Sequence, residues 1–217
     1  MSSFKAVVFD LDGTLLDTLE DLADSANRVL ADQGLPVHPV AAYRYFVGDG
    51  MQTLIKRILP EDRRNAESME RTVRAFQEVY SRNWHVKSTI YAGVETMLNG
   101  LQQAGLILSI LSNKPHEFTC LCVEKMLPDW TFSPLLGARP GVPKKPDPAG
   151  ALEIASRLEI EPEDMLYLGD TATDMETATR AGMYPVGALW GFRTAEELEE
   201  SGAARIISMP QQLLDFI

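Results

Sequence analysis

Two carboxylates stand at the first change of pattern in the chain. The apolar run Ala6–Phe9 stops at Asp10, Asp12 follows two residues on, and Gly13-Thr14 closes a turn. A short β-branched run bounded by a turn signal predicts a strand buried on both faces. In open parallel sheets, ligands gather outside the carboxyl ends of the strands, which is where Asp10 would stand. Two carboxylates this close either repel or share a cation. An Asp-Gly turn after a strand is common in α/β proteins, so the case depends on what else converges there.

Three further segments supply polar groups at the same edge. Ser112 and Asn113 follow the apolar run 106–111, and Asp170 follows the run 165–168. Asp174 lies one helical turn beyond Asp170 on the same face. The proline-rich loop 139–148 carries Lys144 and Lys145 and should return to this edge, with Lys145-Pro146 the favoured context. Four converging carboxylates need a hard divalent cation and a lysine to offset them, and an all-oxygen ligand set points to Mg²⁺ rather than zinc.

Phosphoryl transfer fits this set. Asp10 would attack phosphorus and form an aspartyl-phosphate. Asp12 would protonate the leaving alcohol and then activate water, a role that requires it to hold a proton when substrate binds. Mg²⁺, Ser112 and Lys145 would take up charge on the phosphoryl oxygens. The backbone N–H groups of the turn at Gly13 and Thr14, and of the helix start after Ser112 and Asn113, would add donors.

The elements that must hold these groups alternate between strand and helix from Gly93 onward, which predicts a parallel sheet covered on both faces. Before it, from Thr18 to about Val86, the apolar spacing is helical throughout. Thr18 reads as an N-cap, and Met69, Val73, Phe76, Tyr80 and Trp84 form one face of a long helix, expected to be core. The division expected is a Rossmann-like α/β core over residues 1–16 and 87–217, with an all-helical cap over 17–86.

The motifs Asp10-Leu11-Asp12-Gly13-Thr14, Ser112-Asn113, Lys145-Pro146 and Gly169-Asp170-x-x-x-Asp174, in this order, resemble the four motifs of the haloacid dehalogenase superfamily. The resemblance implies Asp10 as nucleophile, Asp12 as acid/base, Ser112 as phosphoryl-binding hydroxyl and Lys145 as charge-neutralising lysine. It implies Mg²⁺ held by Asp10, the Asp12 carbonyl and Asp170, with Asp174 in support. The second Asp implies a phosphatase rather than a dehalogenase. Asp17-Thr18, the loop Gly48-Asp49-Gly50, Tyr91-Ala92-Gly93-Val94 and Ser112-Asn113-Lys114-Pro115 resemble the phosphoglycolate-phosphatase-like branch, whose cap loop helps choose the leaving group. Gly48, Asp49 and Gly50 are thus substrate-binding candidates, although members often carry Asn at the middle position, and Asp49 would repel the carboxylate of glycolate. The alternatives are a pyrophosphatase or a phosphosugar mutase of the same superfamily, or a non-catalytic phospho-acceptor or binding module.

A formal charge of −11 over 217 residues argues against nucleic acid and anionic membranes as partners. No apolar run is long enough to span a bilayer, and the opening Met1-Ser2-Ser3-Phe4-Lys5 has no leader pattern. Cys120 and Cys122 are spaced against pairing and read as free thiols of a cytoplasmic protein. The expected partner is a small-molecule phosphate ester, on a monomer or homodimer. His38, His85 and His116 lack partners at metal or triad spacing. The loop Trp190-Gly191-Phe192 is expected to be structural.

Overall fold

The computed structural model describes residues 4–217, so Met1–Ser3 of the segment read for a leader lie outside it. Strand β1 (Ala6–Phe9) runs into the Asp10–Thr14 turn and a two-residue strand β2 (Leu16–Asp17). Helices α1 (Leu19–Asp32), α2 (Tyr43–Phe46), α3 (Met51–Ile58) and α4 (Ala66–Asn83) follow, and β3 (Thr89–Ile90) brings the chain back. Then α5 (Val94–Gln103), β4 (Ile107–Pro115), α6 (His116–Met126), β5 (Leu135–Ala138) and α7 (Ala149–Leu158) alternate. The chain continues as β6 (Met165–Gly169), α8 (Ala172–Ala181), β7 (Tyr184–Ala188), α9 (Ala195–Glu200) and β8 (Arg205–Ile207), and ends in a 3₁₀ turn, Pro210–Phe216.

Six strands form one parallel sheet in the order β5-β4-β1-β6-β7-β8. The period of two is visible in its core. Val7 and Phe9 of β1, with Leu166 and Leu168 of β6, face the apolar cluster that includes Met97 and Leu98 of α5 and Phe118 and Val123 of α6. Ala6 and Val8, with Met165 and Tyr167, face the second cluster, with Ile154 of α7 and Ala178 of α8. Both sides of the sheet are therefore covered by helices, the Rossmann-like α/β arrangement read from the alternation.

One local expectation changes. The strand read as 106–111 continues to Pro115, so Ser112 and Asn113 lie within β4 rather than after it. The stretch from Thr18 to about Val86 holds helices and no strand, as expected; just outside it β2 and β3 pair antiparallel, Leu16 with Ile90 and Asp17 with Thr89, and tie the two crossings together. Two residues per strand are too few to show a period. No helix among the described residues is long and apolar enough to cross a membrane.

Candidate active site

Parallel register brings the ends of β1, β4 and β6 side by side, and Asp10, Ser112 and Asp170 with them. Lys145 arrives from the loop before α7 and is buried. Its ammonium lies 2.8 Å from Asp10 Oδ1 and 2.6 Å from Asp174 Oδ1. Lys144 is exposed, so the favoured register of this loop is the one observed. Burial pulls the Lys145 ammonium down, but Asp10 and Asp174 more than offset this and hold it well above the usual lysine range.

Asp10 sits almost fully buried at the floor of a pocket. Burial pushes its carboxyl up from 3.8 to about 7, and Asp174 adds to the rise against the pull of Lys145. Asp170 is raised well above the carboxylate range, first by burial and then by Asp174 and Asp10. It is also tightly clamped: Thr14 Oγ1 donates to its Oδ1 at 3.0 Å, and the Phe192 N–H donates to its Oδ2 at 2.8 Å. Close backbone approach makes this clamp possible. A Cβ on Gly13, at φ +89°, would come within 2.3 Å of Asp170 Oδ2, and one on Gly191 within 2.3 Å of Asp170 Cβ.

Asp10, Asp170 and Asp174 each offer an oxygen within 4.8 Å of the others. Three buried carboxylates face one lysine there, and Asp10 Oδ1, although beside Lys145, is buried without an aligned hydrogen bond. A divalent cation fits this oxygen-only set. Asp174 contributes least free capacity. Its Oδ2 accepts from the N–H and hydroxyl of Thr171 at 3.1 and 2.6 Å, capping α8, while its Oδ1 accepts from Lys145.

Asp12 is held by a different set of side chains. Its Oδ1 accepts from Thr18 Oγ1 at 2.7 Å and from Lys114 Nζ at 2.9 Å. Thr18 does occupy the cap position of α1, but its hydroxyl serves Asp12 and not the helix backbone. Lys114 was quoted in sequence only as part of a branch-like stretch, yet it is fully buried against Asp12, and its ammonium also donates to Tyr80 Oη at 2.7 Å. Burial lowers its affinity for a proton, but Asp12 and Tyr80 outweigh this and hold it well above the usual lysine range. Phe76 and Tyr80, expected as core, are buried and also line the pocket.

Several residues expected at the substrate have other work. The Gly13 N–H donates to the Leu16 carbonyl and the Thr14 N–H to that of Leu11, so neither is a free donor to a phosphate. Asn113 holds the Lys145 loop reciprocally: its Oδ1 accepts from the Lys145 N–H, and its Nδ2 donates to the carbonyls of Lys145 and Gly48. Gly48 and Gly50 line the pocket, whereas Asp49 does not. The Asp49 carboxylate turns to Arg57 at 2.6 Å and to Thr173 at 2.7 Å. The repulsion expected between Asp49 and a substrate carboxylate therefore does not arise from inside this pocket.

The loop read as structural proves to be part of the site. Besides the Phe192 N–H on Asp170, Trp190 Nε1 donates to the Thr14 carbonyl at 2.9 Å. Arg193 donates to the Arg44 and Val47 carbonyls, and Arg44 returns a bond to the Gly191 carbonyl. Tyr167, beneath the site on β6, approaches Asp174 Oδ1 with its hydroxyl at 3.4 Å. The histidines stay outside: His38 pairs with the Ile58 carbonyl and His116 accepts from the Gly137 N–H. Both cysteines are free.

Comparison with known proteins agrees with this geometry. Residues 7–188 match the family of haloacid dehalogenase-like hydrolases. A phosphoglycolate phosphatase of Vibrio cholerae is 34% identical over 203 residues, 91% of this chain and 90% of that protein. One of Nitrosospira multiformis is 33% identical, over 94% of this chain and 91% of its own. A crystal structure from Lactobacillus delbrueckii subsp. bulgaricus superposes with a TM-score of 0.92 at 26% identity, covering 99% of this chain and 98% of that one. The family match, the identity of 33–34% to these phosphatases and the near-complete coverage lead to one conclusion: the chain belongs to the haloacid dehalogenase-like hydrolase family, on its phosphoglycolate-phosphatase-like branch.

Proposed function

We propose that the chain is a Mg²⁺-dependent phosphatase that hydrolyses a small, phosphoglycolate-like phosphate monoester through a phosphorylated Asp10. The observation that carries this reading is the pair Asp10 and Asp12 on one pocket floor, with Lys145 against the first and Asp170 beside it. A pure binding module has no use for the second carboxylate.

In this reading the Asp10 carboxylate attacks phosphorus and the bond to the leaving oxygen breaks. Asp12 gives that oxygen a proton, then takes one from the water that frees the phosphate. The Ser112 hydroxyl and the Lys145 ammonium stabilise the phosphoryl oxygens. Asp10, Asp170 and the Asp12 carbonyl would hold Mg²⁺, which supplies positive charge to the phosphoryl group. Asp174 acts as a positioning residue, because its oxygens are committed to Lys145 and Thr171.

Residues 17–86 form the cap in this account, and β2 paired with β3 is its joint to the core. Its packing beside the core supports a small substrate. The pocket it leaves over Asp10 and Asp12 measures ≈ 50 Å³, against roughly 300–1,000 Å³ for sites that hold drug-sized molecules. Free thiols at Cys120 and Cys122 suit a reducing, cytoplasmic setting.

Phosphate release from a panel of esters, with and without Mg²⁺, tests the reading. The panel holds 2-phosphoglycolate, sugar phosphates, nucleotides, pyrophosphate and an aryl phosphate. Turnover that needs the metal and disappears in Asp10→Asn is expected. Folded wild-type protein that releases phosphate from no member would sink it.

A further inference from the structure

The wall of the pocket away from Asp10 is apolar, built by Leu22, Val47, Leu54 and Phe76, with one exception. Among the described residues that line it, Lys114 is the single cation. Its side chain is 3% exposed, and it is held by Asp12 from the core and Tyr80 from the helical insertion. A buried ammonium in an apolar wall is costly and is retained only where it is well paired. Asp12 does not depend on it alone, since its Oδ1 also accepts from Thr18.

Its position explains it better. Asp12 is the group assigned to the leaving oxygen, and Lys114 pairs with Asp12, whereas Lys145 pairs with Asp10 and Asp174. The ammonium therefore borders the pocket that the leaving group would enter beside Asp12. Tyr80 accepts the Lys114 bond, which leaves its own O–H to donate into the same space. An ammonium and a hydroxyl converging on one small volume match the two oxygens of a carboxylate. Among the described residues of the insertion that line the pocket none is acidic, and Asp49 is turned to Arg57 and Thr173.

We propose that Lys114, assisted by Tyr80, is the residue that selects a leaving group carrying a carboxylate close to the ester oxygen. The proposal rests on the phosphatase reading above and adds the specificity element that reading lacks.

The test compares kcat/KM for 2-phosphoglycolate with that for its amide, 2-phosphoglycolamide, which keeps the shape and loses the charge. Wild-type protein is expected to favour the acid by about tenfold or more, as expected for a charge-assisted hydrogen bond. In Lys114→Met the preference should fall to about one. Each ratio is taken within one protein, so a general loss transmitted through Asp12 cancels. An unchanged ratio in Lys114→Met, or a wild-type preference for the amide, would overturn the proposal. If Lys114→Met does not fold, the wild type still decides, with glycolate and glycolamide as competitive inhibitors of aryl phosphate turnover. Glycolate should bind about tenfold tighter, and equal inhibition would overturn the proposal. Aryl phosphate turnover separates the two levels: with it present, a failed ratio removes only the role of Lys114, and with no ester turned over the phosphatase reading falls too.

Discussion

Thr173 Oγ1 donates to Asp49 Oδ1 at 2.7 Å, joining the first turn of α8 to the glycine-rich loop of the insertion. Asn113 reaches the same loop through the Gly48 carbonyl, and Arg193 through that of Val47. At Gly50 the loop passes so close to the core that an added Cβ would stand 3.2 Å from the Asn113 carbonyl oxygen. These bonds tie the loop to the core beside the pocket, and each can be removed singly.

Thr173→Val keeps the shape of the side chain and deletes the donor. A hydrogen bond to a charged acceptor contributes roughly 1–3 kcal/mol, reduced here because Asp49 is partly exposed and keeps Arg57. We expect KM to rise by about threefold to tenfold, with faster amide exchange in residues 48–51. Wild-type KM together with wild-type exchange rates would show that this bond does not hold the loop.

Gly191→Ala tests the clamp on Asp170. The added methyl would meet Asp170 Cβ at 2.3 Å, and the Gly13 carbonyl at 2.5 Å. Asp170 cannot retreat without breaking its bonds to Thr14 and Phe192. Overpacking of this kind costs about 1–3 kcal/mol. The expected outcome is a lower melting temperature and weaker divalent-cation binding by calorimetry. Unchanged cation affinity would dissociate this loop from the metal site.

These two sites also mark what the sequence could and could not disclose. Asp10, Ser112 and Asp170 were legible because each follows an apolar run, and parallel strands deliver such positions to one edge, while Lys145 was legible from its Lys-Pro context in a proline-rich loop expected to return there. The partnership of Lys114 with Tyr80 was not, because it spans 34 residues and the whole packing of α4 onto the core. Tyr80 and Phe76 satisfy helical spacing equally well as core or as pocket wall. Asn113, Gly13 and Thr14 were found at the site, but their hydrogen bonds are spent on the scaffold. Only three-dimensional pairing distinguishes a donor to substrate from a donor to backbone. The role of the Trp190–Phe192 loop was hidden for a related reason, since its working group is the Phe192 backbone N–H, which every residue type but proline supplies.

Acidity gives a third prediction. The Asp10 carboxyl is raised from 3.8 to about 7, and Asp170 is raised as well. A carboxyl that binds its proton more tightly in the native state stabilises the fold fully below about pH 4 and loses that contribution as pH rises through 7. Without divalent cations, the contribution of these two groups to thermal stability should therefore fall between pH 4 and pH 7. Mg²⁺ replaces the protons with a better neutraliser, so its stabilising shift should be small at pH 5 and large at pH 8. Thermal denaturation across that range, with EDTA and with Mg²⁺, measures both. A Mg²⁺ shift that is the same at both pH values would mean that the cation does not bind these carboxylates.

The central claim is that Asp10 carries the phosphoryl group. Rapid quenching during turnover of an aryl phosphate gives the most direct test, because its leaving group departs without a proton and favours accumulation of the intermediate. Borohydride reduction followed by peptide mass spectrometry should then find homoserine at position 10, in stoichiometric yield when hydrolysis is slowed by Asp12→Ala. Turnover without any modified Asp10, or the phosphoryl group found on another residue, would contradict the account.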